Sequence, residues 1–181
     1  IEIGIDEGAR IEASAHPFRH RIIIFGSSFT HGTSTGRPGM SYPMIMQRNT
    51  GLQFISLGVS GNSKLQQSFA QIIGDNACDA IVVDAVSNPG PEMIRERFLP
   101  FVAAIRKAHP AVPLIFLQTI YRERANFDLK ERAREEEKRR AARTVFEEAA
   151  KVYDHIYFVD EPDLTGTDHI TSLDGTHPDD L

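Results

Sequence analysis

Cysteine is almost absent from this chain. The single thiol, Cys78, has no partner for an intramolecular disulfide and cannot by itself build a thiolate metal site. It sits beside an apolar run and reads as a small buried side chain. Tryptophan is missing altogether, so with Tyr 4 and Phe 11 few rings remain to stack on a sugar face; Tyr42 and Tyr121 are the nearest candidates. No stretch approaches the ~20 consecutive apolar residues of a membrane-spanning helix. An excess of basic residues is lacking too. Lys and Arg number 20 against 25 Asp and Glu, a net charge of −5, which argues against a nucleic-acid backbone as partner. Neither internal repeats nor a low-complexity linker interrupt the 181 residues, a length suited to one domain with a sizeable core.

What is present is an alternation of short apolar runs and helical stretches. Strands are expected at 21–26, 53–57, 80–86, 114–120 and 155–159, rich in Ile, Val, Leu and Phe. They mostly lack period-two polarity, as strands covered on both faces do. Helices are expected at 42–48, 64–73, 91–107 and 128–153, with Pro91 and Glu92 marking a start and His109-Pro110 a stop. Such a βαβα pattern implies a three-layer α/β/α sandwich around a parallel sheet with right-handed crossovers. The pattern alone leaves the strand order open. Between 130 and 140 lies a dense run of mixed charge, read as a solvated helix face laced with i,i+4 pairs. Leu129, Ala133, Ala141, Val145, Ala149 and Val152 form the stripe expected to bury against the sheet.

The chemistry is concentrated where the apolar runs stop. The first run ends in Phe25-Gly26-Ser27-Ser28-Phe29-Thr30-His31-Gly32, a tight turn that exposes a hydroxyl at the carboxyl edge of a parallel strand. Open α/β sheets place their ligands at that edge. A serine there needs a base and an anion hole. Near the other end, Asp174-Gly175-Thr176-His177 puts a carboxylate and an imidazole three residues apart around a glycine, so one turn can present both. The imidazole would accept the serine proton and the carboxylate would fix its tautomer. Asp160, at the end of the last strand, is the alternative orienting acid. After the second run Gly61 offers an unhindered backbone N–H, and after the third Asn88 offers a side-chain amide; both suit an anion hole. Plainer roles stay open: a turn glycine for Gly61, a helix cap or turn for Asn88. Arg37 and His31 lie close after the serine turn and are candidate substrate contacts, with a structural salt bridge the competing role for Arg37.

With these blocks in order, the chain resembles the SGNH or GDSL family of serine esterases and lipases. Ser28 matches the block I serine, Gly61 the block II glycine, Asn88 the block III asparagine, and Asp174 with His177 the block V Asp-x-x-His. The resemblance runs from about Arg21 to the end. The serine turn and the following Arg37-Pro38-Gly39-Met40-Ser41-Tyr42-Pro43 are most similar to a branch often found behind a small β-sandwich domain in bacterial carbohydrate-degrading proteins. Ser27 departs from the Asp of Gly-Asp-Ser, and Pro89 from the Asp of Gly-x-Asn-Asp; neither change removes a proton-transfer or oxyanion group. The resemblance implies a flavodoxin-like strand order 2-1-3-4-5 and a catalytic triad of Ser28, His177 and Asp174. It also implies an oxyanion hole of Ser28, Gly61 and Asn88, and no metal or organic cofactor. The expected activity is hydrolysis of a carboxylic ester, with an acylated carbohydrate or small molecule as substrate. An acyltransferase onto a sugar hydroxyl and a carbohydrate-binding relative without turnover are the alternatives.

Residues 1–20 are expected to form a strand or linker ahead of a catalytic domain at 21–181. Ile1-Glu2-Ile3-Gly4-Ile5 alternates like a strand with no partner in that domain, so it reads as the remnant of a β-sandwich domain or as a surface linker. The family places a helix after the block V histidine, and here only four residues follow it. No signal-peptide pattern opens the chain, and because the first residue is Ile rather than Met this decides nothing about location. A removed leader would make the protein secreted or periplasmic.

Overall fold

The computed structural model describes residues 2–13, 15, 17–160, 164–166 and 168–180. Five strands, β1 (Arg21–Gly26), β2 (Gln53–Gly58), β3 (Ala80–Asp84), β4 (Leu114–Leu117) and β5 (Ile156–Val159), form one sheet. All neighbours pair in parallel, in the order β2-β1-β3-β4-β5. Five α-helices lie between and beside them: α1 (Ser28–His31), α2 (Tyr42–Thr50), α3 (Gln67–Gly74), α4 (Pro91–Ala108) and α5 (Leu129–Ala150). The chain order therefore reverses between β1 and β3, the place where open sheets form a crevice at their carboxyl ends.

Strand alternation explains why the sequence reads as continuous apolar runs. In β1, Ile23 and Phe25 enter the core on one face, and Ile22 and Ile24 enter the other. The first face is covered by α3, α4 and α5, with α4 packed between its two neighbours. Its centre is aromatic: Phe98 lies 4.4 Å from Phe116, and Phe25 stacks between Phe69 and Phe101 at 4.5 and 5.8 Å. On the second face, α2 brings Tyr42 and Met44 against Ile24, Phe54 and Val82. Among the described residues no helix is long and apolar enough to cross a membrane.

Several expectations shift. The third strand stops at Asp84 rather than Val86, and the fourth at Leu117 rather than Ile120. Beyond those points the backbone turns to local partners, as when Thr119 donates its N–H to the Gln118 side chain. Residues 2–5 form no strand; Ile3 and Ile5 are exposed. Ile1 lies outside the described residues. The α5 stripe is also corrected. Leu129, Ala133 and Val152 face solvent, while Glu135 and Lys138 from the charged run are buried with Ala141, Ala142, Val145 and Ala149. The reason is position along the sheet: the first turns of α5 stand beside the loops at the carboxyl edge, where inward side chains meet backbone carbonyls instead of apolar strand residues.

At that same edge Asp84 is fully enclosed. Its carboxylate accepts the Thr30 hydroxyl at 2.8 Å and the Tyr42 hydroxyl at 3.1 Å. Burial pushes its pKa up to about 7, with the two hydroxyl donors pulling the other way, and burial together with the Asp84 charge raises the Tyr42 phenol. Between the ~3.9 of an exposed Asp and about 7, the folded protein holds a proton that the unfolded chain has released. The contribution of this group to stability therefore falls as pH rises through that window and is flat above it. Urea denaturation across the window should show Asp84→Asn with a shallower loss of stability toward high pH than the parent. Identical slopes would contradict the raised carboxyl.

Candidate active site

The serine turn is built by two close approaches, a cap and a left-handed glycine. At Gly26 a Cβ would meet the Thr30 hydroxyl at 1.9 Å and the Asp84 Cβ at 2.9 Å, so the chain leaves β1 where only glycine fits. Ser27 then caps α1, its hydroxyl accepting the Phe29 N–H at 3.3 Å. This is the cap that an Asp would also provide, which explains how the departure at this position is accommodated. Gly32 closes the single helical turn in the left-handed region, its N–H reaching the Ser28 and Phe29 carbonyls. Gly58, at the end of β2, lets that strand press against α1: a Cβ there would lie 2.5 Å from the His31 backbone nitrogen.

The second turn meets the first. His177 Nε2 lies 2.9 Å from Ser28 Oγ, and His177 Nδ1 lies 2.6 Å from Asp174 Oδ2. The other carboxylate oxygen accepts the backbone N–H groups of Thr176 and His177, each at 2.8 Å. Burial alone would raise the Asp174 carboxyl, but these donors and the imidazole hold it well below the usual range, so it stays charged. Gly175 allows the turn with a φ of +75°, and its carbonyl accepts the Arg124 N–H at 3.0 Å. The Phe29 ring stands edge-on to the imidazole at 5.8 Å.

Two further loops border the same place. Gly61 is exposed with a φ of +71°, and among the described residues its N–H and that of Ser28 have no hydrogen-bond partner. Asn88 Oδ1 accepts both the backbone N–H and the hydroxyl of Ser63, each at 3.2 Å. That pair fixes the amide flip and leaves Nδ2 without a partner among the described residues. The helix-cap role for Asn88 does not hold, since α4 is entered through Gly90 with no side-chain cap. A cleft of about 470 Å³ adjoins Phe29 and Pro178 and is bounded by Thr35, Tyr42, Thr171 and Asp179.

Among the described residues no hydrogen bond joins the remaining candidates to Ser28, Asp174 or His177. Arg37 is exposed, its guanidinium 3.9 Å from the Met40 sulfur, and it makes no ion pair among the described residues. His31 is exposed at the end of α1. Asp160 is held by Arg139 at 2.7 Å and by Arg143, so the carboxylate beside His177 is that of Asp174. Tyr42 commits its hydroxyl inward to Thr30 and Asp84, and the residue also lines the cleft. Tyr121 is exposed and bonds Asn126. Sequence reasoning passed over Ser63, Thr30 and Gly58. Only Gly58 left a signal, as one of two glycines in a single strand-end turn.

The model of the GDSL-like lipase/acylhydrolase family matches residues 19–181. Among solved structures, a protein from Bacteroides ovatus assigned as a GDSL-like lipase is 38% identical, with a TM-score of 0.89 over 97% of this chain and 52% of that one. A salicylyl-acyltransferase from a tetracycline biosynthetic pathway is 22% identical, with a TM-score of 0.76 over 93% of this chain and 51% of its own. A family two carbohydrate esterase from Clostridium thermocellum, solved with cellohexaose, is 14% identical with a TM-score of 0.64, covering 94% and 60% of the two chains. The last two likenesses speak for the fold alone. This chain spans about half the length of the first two. No curated protein sequence matches it.

The two glycines of the β2 turn are predicted to fail differently. Gly58→Ala must displace backbone of the serine turn, so it should cost about 1–3 kcal/mol in urea denaturation and disturb the site as well. Gly61→Ala meets nothing within 4 Å and should cost only the roughly 1–2 kcal/mol of a left-handed alanine. A Gly58→Ala protein as stable as its parent would contradict this packing.

Proposed function

We propose a reaction from one premise: the chain belongs to the GDSL-like lipase/acylhydrolase family. Ser28 is the nucleophile of an acyl-enzyme mechanism that cleaves a carboxylic ester, and the alcohol part of that ester is a carbohydrate. The observation that carries the reading is the chain of short contacts from Ser28 Oγ through His177 to Asp174, at 2.9 and 2.6 Å.

In this reaction His177 Nε2 accepts the Ser28 proton as Oγ attacks the ester carbonyl. Asp174 holds Nδ1–H, which fixes the tautomer and stabilises the imidazolium that forms. Negative charge collects on the former carbonyl oxygen, for which the Ser28 and Gly61 N–H groups and Asn88 Nδ2 serve as the donors. The imidazolium returns its proton to the departing alkoxide. Water then attacks the acyl-enzyme with the same histidine as base, releasing the acid and restoring Ser28. The sugar alcohol is proposed by analogy with the carbohydrate esterase solved with cellohexaose, with which this chain shares the fold. A second reading draws on the higher TM-score of the salicylyl-acyltransferase: a sugar hydroxyl takes the place of water and the acyl group is transferred. Product analysis with and without an added sugar acceptor separates hydrolysis from transfer.

Two outcomes are expected with short-chain nitrophenyl esters and acetylated xylan. Ser28→Ala abolishes ester cleavage while Ser27→Ala, which removes only a cap, keeps a measurable part; equal survival in both refutes the nucleophile. Asp174→Asn preserves shape but places an amide donor against Nδ1, favouring the tautomer that cannot take the serine proton. Its kcat should fall by a factor on the order of 10³–10⁴. A variant retaining most of its activity would remove Asp174 from the mechanism.

A further inference from the structure

Three charged side chains that the reaction above leaves unused meet behind the loop that follows β3. Lys138, almost completely buried on α5, donates from Nζ to the Ser87 carbonyl at 2.7 Å and to Glu135 at 2.5 Å. Arg122 donates from Nη2 to the same Ser87 carbonyl at 3.1 Å. Its Nε faces Glu135 Oε2 at 3.4 Å, an ion pair without the alignment of a hydrogen bond. The guanidinium carbon lies 5.6 Å over the Phe29 ring. Two residues on, the Arg124 N–H holds the Gly175 carbonyl in the acid–base turn. The short segment 122–124 thus touches the serine turn, the Asn88 loop and the His177 turn.

Stability alone does not call for such a cluster. Two of these charges are buried and the third half-buried, which costs free energy before pairing returns any of it, and well-packed apolar residues often do as well or better. What the cluster does is local. A carbonyl that receives two cationic donors is held in direction, and the planar peptide carries that constraint to the Asn88 backbone. Ser63 restrains the same residue at its side-chain oxygen. Asn88 is therefore gripped at its preceding peptide and at Oδ1, while Nδ2 has no hydrogen-bond partner among the described residues.

Resting on the reading of Asn88 as an oxyanion donor, we propose that Arg122, Glu135 and Lys138 are positioning residues that fix the Ser87–Asn88 peptide and aim the Asn88 amide at the developing charge. The charged run in α5 then serves the reaction through Asn88 and makes no contact with the substrate.

The test is a double-mutant cycle on the full chain, with kcat and KM measured on nitrophenyl acetate for Lys138→Met, Asn88→Ala and the pair. Lys138→Met leaves Glu135 paired with Arg122. It should lower kcat about tenfold, the scale of coupling within one network, with KM nearly unchanged. In the Asn88→Ala background the same substitution should cost almost nothing, because the group it positions is gone. Additive losses, a change chiefly in KM, or an unaffected kcat would overturn the proposal. Arg122→Gln, which removes the other donor to Ser87, takes the same place in the cycle if Lys138→Met does not fold. A parent protein that neither cleaves the ester nor reacts at Ser28 with a phosphonate probe overturns the hydrolase reading, and this proposal with it. A reactive parent with additive losses overturns this proposal alone.

Discussion

A single contact between Ser28 Oγ and His177 Nε2 spans 149 residues of chain and sets the demands on everything between. Side chains brought together over such a distance keep their geometry only if both supporting turns are rigid. The parallel sheet supplies the frame. It ends β1, β2 and β3 along one edge, and each of those ends passes directly into a loop that borders the serine. Gly26 and Gly58 allow the closeness, since a side chain at either would collide with the turn that carries Ser28. The histidine turn has no strand of its own. It is fastened through the Arg124 N–H and by the two backbone donors that Asp174 accepts.

Two sets of polar groups at the carboxyl edge stand out. On one side Asp84 collects the hydroxyls of Thr30 and Tyr42, tying α1 and α2 to β3. On the other, Lys138 and Arg122 converge on the Ser87 carbonyl at the far end of the same β3 loop. Both sets sit where strands have ended and backbone groups need partners, and both lie next to a candidate site residue. The aromatic core beneath, centred on Phe25, Phe98, Phe101 and Phe116, contains no such groups and serves packing alone.

Much of this was legible in the sequence, for identifiable reasons. Parallel strands covered on both faces leave unmistakable apolar runs, so all five were found, and the resemblance supplied their order. Candidate residues at strand ends are marked by glycine and by abrupt loss of apolar character, which is why Ser28, Gly61 and Asn88 could be named; Asp174 and His177 are marked instead by their spacing around Gly175. What stayed hidden depends on where a helix sits along the sheet. The run from 130 to 140 has the composition of a solvated face, and nothing local tells that Glu135 and Lys138 turn inward while Leu129 turns out. Tyr42 shows the same limit: nothing local tells that its hydroxyl is claimed from beneath by Asp84. Strand ends were overestimated at Val86 and Ile120 because apolar residues continue after the ladder stops.

The proposed reaction passes through a covalent acyl group at one hydroxyl. Turnover of a short-chain nitrophenyl ester, quenched in acid within the first cycles, should leave a fraction of the protein heavier by one acyl group. Peptide mass analysis should place that group on Ser28, and it should be missing from Ser28→Ala. Ester cleavage that proceeds without any acyl-protein, or with the acyl group on another residue, would contradict the mechanism at its first step.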